Sequence, residues 1–104
     1  MTPQTFHILL ALTDSDKHGY AIMQEVDFRT GGKVKIGPGT LYGSLQRLLE
    51  DGLIKEVPGD ADGPERRRDY RLTPQGRQAL LSEADRLSSL VQMANVKLAV
   101  RRKP

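Results

Sequence analysis

The sequence has no cysteine and no tryptophan, and its 104 residues include only two histidines. Without cysteine the chain can form no disulfide, no thiolate zinc site and no cysteine nucleophile. The longest apolar run, residues 8–12, is far shorter than the ~18–20 residues that a membrane-spanning helix needs. The N-terminus shows no basic stretch followed by an apolar segment and a small-residue cleavage site. We therefore expect a cytoplasmic protein that contacts no membrane.

Catalytic motifs are also missing. His7 and His18 fall in different predicted elements, so neither a metal site nor a catalytic triad is indicated. Asp60, Asp62 and Glu65 lie in a turn-like segment without a rigid partner. The glycine pairs match neither a phosphate-binding loop nor a dinucleotide fingerprint. The sequence therefore predicts no enzyme, no metal site and no cofactor.

Aromatic residues make up only 5% of the chain and hydrophobic residues 38%, which is little for one self-sufficient domain. We therefore expect an apolar face that a partner covers. The net charge of +3 permits a polyanionic partner and is unevenly distributed. Residues 65–71 hold four arginines against one glutamate and one aspartate, and residues 97–103 hold four cations without an acid. The rest of the chain is mildly acidic.

Capping residues, helix-breaking glycines and prolines, and the spacing of apolar residues predict three short helices followed by a hairpin. The first helix begins at the Thr2-Pro3 pair, and the others span residues 17–29 and 38–51. Branched apolar and alternating residues predict strands at 53–57 and 67–72, joined by a Gly- and Pro-rich turn.

A long helix is predicted from Thr73-Pro74 to about residue 102, which is on the order of 40 Å at ~1.5 Å per residue. Its apolar residues alternate steps of four and three, which is the seam of a heptad repeat. The chain thus divides into residues 1–73, which hold the helices and the hairpin and are assigned to DNA binding on the grounds given below, and a dimerisation helix, residues 74–104. The predicted dimer seam is Leu80, Ala84, Leu87, Val91, Ala94 and Leu98.

This order of elements is typical of a winged helix-turn-helix, so the predicted fold class is mainly α (α+β) with a long C-terminal dimerisation helix. In such domains the third helix can enter a major groove ~12 Å wide while the hairpin reaches a neighbouring groove or the backbone. Helix-plus-hairpin domains also serve as protein-interaction modules, and element order alone leaves both functions open.

The third predicted helix carries polar groups that favour DNA over an ordinary solvated face. Hydroxyls and the amides of a helix start suit phosphate oxygens, an arginine fork suits guanine or phosphate, and glycine permits close approach. The candidate DNA-binding residues on this helix are Thr40, Tyr42, Gly43, Ser44 and Arg47. On the hairpin, Arg66, Arg67 and Arg68, joined by Arg71, form a cationic run that suits phosphates or a minor groove.

Four segments together resemble the PadR-like transcriptional regulators of bacteria. They are residues 18–22 (HGYAI), 37–42 (GPGTLY), 45–54 (LQRLLEDGLI) and 68–77 (RDYRLTPQGR), and they span most of the chain. The resemblance implies a homodimer built through the last helix and repression of transcription by operator binding. It assigns Thr40 and Tyr42 to the DNA face, residues 66–68 to the basic wing and Gly76 to the start of the dimer helix.

The resemblance also implies an inducer, because the family's ligands are phenolic acids or flat hydrophobic drugs at the dimer centre. Gly37 departs from the Ser or Thr cap of many relatives, which weakens that cap by a few tenths of a kcal/mol. We therefore expect a dimeric, sequence-specific repressor that binds a pseudo-palindromic double-stranded DNA operator and is released by a small hydrophobic or aromatic ligand. The alternative is a winged-helix small-molecule sensor or protein-interaction module without DNA binding.

Overall fold

The computed structural model describes residues 1–59 and 68–99. Its elements are α1 (Pro3–Ala11), α2 (Gly19–Arg29), α3 (Pro38–Glu50), β1 (Ile54–Pro58), β2 (Arg68–Leu72) and α4 (Pro74–Leu98). The two strands pair antiparallel, and Glu56 lies opposite Tyr70. This is the predicted mainly α winged helix-turn-helix with a long C-terminal helix. The predicted continuation of the last helix to residue 102 lies partly outside the described residues.

Side-chain caps explain where three of the helices begin. The Thr2 hydroxyl accepts a hydrogen bond from the Thr5 amide (3.1 Å), and His18 Nδ1 accepts one from the Ala21 amide (3.2 Å). Thr73 accepts from the Gly76 amide (2.9 Å) and donates to the Gly52 carbonyl (2.7 Å), which ties the end of α3 to the start of α4. Gly37, the capping residue before α3, provides no side-chain hydrogen bond, as the missing Ser or Thr predicts.

The core lies between α1, α2 and α3 and is closed by β1, β2 and the start of α4. Aliphatic residues dominate it, and Ile8, Leu9, Ile22 and Leu41 are completely buried. Leu80 is also buried, at 6% exposure, in this same core. Its assignment to the dimer seam is therefore wrong, because the first turns of α4 pack against the chain's own core.

Beyond Leu80, helix α4 leaves the core and presents apolar side chains to solvent. The exposed large residues of this part are Leu81, Leu90, Val91, Met93, Val96 and Leu98. At 25 residues α4 is about 37 Å long, so only its first turns can be covered by the other helices. Among the described residues, no helix combines the length and the apolarity needed to cross a bilayer.

Candidate nucleic-acid interface

Helix α3 has one polar, solvent-exposed face. Thr40, Gly43 and Arg47 are exposed, and Tyr42 is exposed to 50%. A Cβ added at Gly43 would meet no atom within 4 Å, so another molecule can approach this stretch of backbone closely. Four of the five candidate residues of α3 are thus exposed to solvent.

Ser44 does not belong to that face, because it is only 3% exposed. It lies in the same helical row as the buried residues Leu41 and Leu48, three positions before it and four after it. Residues at these spacings share one face of a helix. The expectation that Ser44 is exposed was wrong. The spacing of Ser44 from the leucines in the sequence already indicated that it lies on the buried face of the helix.

The wing is the hairpin of β1 and β2, and its described part shows two exposed arginines, Arg68 and Arg71. The side chain of Arg68 is 73% exposed and lies 3.5 Å from the carboxylate of Glu56. Arg66 and Arg67 lie outside the described residues. Arg71 does not extend the cationic run as expected, because its guanidinium hydrogen-bonds Asp16 at 2.8–3.2 Å.

The base of the wing is anchored by the segment before α2. The backbones of Lys17 and Tyr70 exchange two hydrogen bonds, at 2.9 and 3.2 Å, so this segment forms an isolated antiparallel bridge with β2. The half-buried Lys17 ammonium donates to the Ala11 carbonyl (2.7 Å) and the Asp14 carboxylate (2.6 Å). Sequence reasoning missed the contacts of Asp16 and Lys17 with β2. No local pattern pairs residues so far apart, since Asp16 and Arg71 are 55 positions from each other.

The Asp16–Arg71 pair predicts how the stability of the wing base depends on pH. Hydrogen bonds from the Arg71 guanidinium lower the pKa of Asp16 below its ordinary value of 3.8. A depressed carboxyl pKa adds stability above the unfolded pKa, and this stability is lost as the pH falls through the folded pKa. Asp16→Asn should therefore lower the melting temperature at pH 6, and the difference from the parent should shrink below about pH 4. An equal difference at pH 3, measured by circular dichroism, would contradict the ion pair.

A cleft of about 470 Å³ lies where the start of α2 meets α3 and β2. It is lined by His18, Gly19, Tyr20, Tyr42, Arg68 and Tyr70. Burial, with the nearby Glu56 carboxylate as a second cause, raises the pKa of Tyr70 above its ordinary value. The Tyr70 hydroxyl therefore stays protonated at neutral pH and can act as a donor.

Two comparisons of sequence identify what this chain is similar to. Residues 8–82 match the family model described as the Transcriptional regulator PadR-like family. The transcriptional regulator Rv3488 of Mycobacterium tuberculosis is 41% identical over 86 residues, which are 83% of this chain and 77% of that protein.

Solved structures agree with the family match. A PadR family transcription regulator of Clostridium difficile has a TM-score of 0.80 at 26% identity, covering 93% of this chain and 99% of that one. Bacillus subtilis PadR, solved in complex with operator DNA, has a TM-score of 0.72 at 23% identity, covering 81% of this chain and 48% of that one. At 23% identity, the similarity to the Bacillus subtilis structure shows a shared fold and nothing further. With more than two thirds of its length matched by the family model, the chain belongs to the PadR-like family of transcriptional regulators.

Proposed function

We propose that this transcriptional regulator binds a pseudo-palindromic DNA operator as a homodimer and represses the genes next to it. The observation that carries the proposal is the exposed polar surface of α3, with Thr40, Tyr42 and Arg47, and the lining of one cleft by both Tyr42 and Arg68 of the wing. In winged helix-turn-helix proteins these two elements read the major groove and contact the backbone. A structural relative from Bacillus subtilis was solved with operator DNA, which supports the same use of the fold here.

The homodimer is supported by the apolar part of α4. Val91 and Leu98 of the predicted seam are 58% and 38% exposed in the single chain, and Ala84 and Ala94 are also exposed. Leu87 is half-buried. An exposed apolar stripe of this length is typical of a helix that packs against a second copy. Two copies joined through α4 would place their α3 helices about one DNA turn, ~34 Å, apart.

Release by a small hydrophobic or aromatic molecule completes the proposal. Met93 and Val96 contribute to an open cleft of about 620 Å³ on α4, on the side of the helix that faces away from the proposed dimer seam. A ligand that binds there more tightly in one arrangement of the two helices would change the spacing of the DNA-binding heads.

The experiment that tests the function is selection of DNA duplexes from a random pool, followed by fluorescence anisotropy with the selected duplex. We expect salt-sensitive binding that is much tighter for the selected duplex than for a scrambled one. Weak binding that is indifferent to sequence would instead favour the sensor or protein-interaction module without DNA binding.

Arg68→Ala should reduce the salt dependence of binding to the selected duplex. Each lost phosphate contact removes about 0.9 from the slope of log K against log salt concentration, and a dimer would lose two such contacts. Arg86→Ala is the matched control, because Arg86 is also an exposed arginine paired with a glutamate but lies on α4. Equal slopes for Arg68→Ala and the parent would remove Arg68 from the DNA interface.

A further inference from the structure

Gly19, the first residue of α2, is a glycine that the backbone conformation does not require. Among the described residues, positive φ angles occur at Gly31, Gly32 and Gly52, but not at Gly19. Alanine favours a helix more strongly than glycine does, because it leaves the unfolded chain fewer conformations. Gly19 is also buried, so it does not present a bare stretch of backbone to another molecule. What distinguishes this position is therefore the space that a side chain would fill.

That space is occupied by the ring of Tyr42. A Cβ added at Gly19 would lie 2.7 Å from Oη, 3.0 Å from Cζ and 3.1 Å from Cε1 of this tyrosine. Non-bonded carbon atoms pack at about 3.5–4.0 Å, so the ring in this position and a side chain at Gly19 exclude each other. All three nearest atoms belong to Tyr42. The contact therefore joins the first turn of α2 to a single side chain of α3.

This contact holds the Tyr42 ring on one side and leaves the other side free. Tyr42 is 50% exposed, and it lines the same cleft as the buried Tyr70. A tyrosine on an open helix face changes between staggered side-chain positions, and each position sends the hydroxyl to a different place. Packing against Gly19 selects one position before a partner arrives. A side chain that is already ordered loses less conformational freedom when it binds.

We propose that Gly19 is a positioning residue for operator binding, which acts by holding the Tyr42 ring in the orientation that contacts DNA. The inference rests on the proposed DNA binding, with Tyr42 as a member of that interface. Gly19 itself does not touch the DNA in this arrangement, because it is buried against the ring. Its whole contribution to affinity therefore passes through Tyr42.

Gly19→Ala should weaken binding of the selected duplex about tenfold without destabilising the protein. The atoms that meet the added methyl lie at the far end of a flexible side chain, so the ring can swing away. A dimer then has to order two free tyrosine side chains on binding, and each costs roughly a few-fold in affinity. The melting temperature should equal or exceed that of the parent, because alanine restricts the unfolded chain. A purely structural role would not weaken binding by an equally stable protein.

The matched control is the same substitution in a chain that lacks the ring. Tyr42→Ala alone should weaken binding, and adding Gly19→Ala to Tyr42→Ala should weaken it no further. Fluorescence anisotropy with the selected duplex measures the affinity of all four proteins, and thermal unfolding by circular dichroism measures their stability. An equal loss from Gly19→Ala in both backgrounds would overturn the proposal, because Gly19 would then affect DNA binding without Tyr42.

Proton magnetic resonance detects the contact in the free protein. The parent should show nuclear Overhauser effects between the α-protons of Gly19 and the ring protons of Tyr42. In the Gly19→Ala protein the corresponding signals from position 19 to this ring should be lost. A parent without these signals would overturn the proposal, because the ring would not lie against α2.

The same measurements separate the positioning role from the proposed function. A parent that binds its duplex selectively, with Gly19→Ala binding equally well, would overturn the positioning role and leave operator binding in place. A parent that binds no duplex selectively would overturn both, even if the ring of Tyr42 lies against Gly19.

Discussion

Gly76→Ala should destabilise the protein strongly. Among the described glycines that have a negative φ, Gly76 is the position where alanine should cost the most stability. A Cβ at Gly76 would overlap the carbonyl oxygen of Leu53 and lie 2.8 Å from Leu72 Cδ1. The Leu53 carbonyl cannot move away easily, because it accepts a hydrogen bond from the Thr73 amide at 3.1 Å. The added methyl group must therefore push α4 away from the turn that precedes β1.

The expected loss is about 3 kcal/mol or more of the free energy of unfolding, at the upper end for overpacking. For a chain of this size this lowers the melting temperature by on the order of 15 °C. The measurement is thermal unfolding by circular dichroism at one fixed protomer concentration, since dimerisation would make the midpoint depend on concentration.

Gly43→Ala is the matched control for Gly76→Ala. Gly43 lies inside α3, and a Cβ there would meet nothing within 4 Å. Alanine in an open helix interior should stabilise by about 0.5–1 kcal/mol, because it restricts the unfolded chain more than glycine does. A Gly76→Ala protein as stable as Gly43→Ala would show that α4 does not pack on Leu53 as described.

Val91→Asp should convert the protein into a monomer and cause the largest loss of DNA affinity. Val91 is 58% exposed in the single chain, so an aspartate there leaves the chain's own core intact. At the proposed seam the same aspartate would face its copy in an apolar contact, where an unpaired charge is strongly unfavourable. Separating the two heads removes the gain from binding two half-sites at once, about 10²–10⁴ in affinity.

Light scattering and anisotropy with the selected duplex measure the two parts of this prediction. Ser82→Asp, an exposed position of the same helix on the side that faces away from the seam, should remain a dimer and bind like the parent. Circular dichroism should show the same helix content in both variants. A Val91→Asp protein that stays dimeric would place the interface elsewhere on the molecule.

Local signals in the sequence were sufficient for the elements themselves. Thr-Pro pairs mark the starts of α1 and α4, and Gly52, with φ of 74°, ends α3 where the pattern places it. These signals work because a cap or a left-handed glycine acts on backbone groups only a few residues away. The wing strands were likewise located to within one residue of their observed bounds.

Only the tertiary structure shows which residues of α4 pack in the chain's own core and which are available for the proposed dimer seam. A heptad pattern states which residues share a face, but it does not state which molecule covers that face. Leu80 and Val91 belong to the same predicted stripe, yet one is 6% exposed and the other 58%. The difference arises because the neighbouring helices are short and cover only the first turns of α4.

By itself, then, the sequence determined the helices, the hairpin, the polar face of α3 and the family resemblance, since each depends on short-range spacing. Only the tertiary structure showed the Asp16–Arg71 pair, the buried position of Ser44 and the cleft in which Gly19 meets Tyr42. These features join residues from separate elements, and side chains distant in sequence meet only after the core has set the angles between helices.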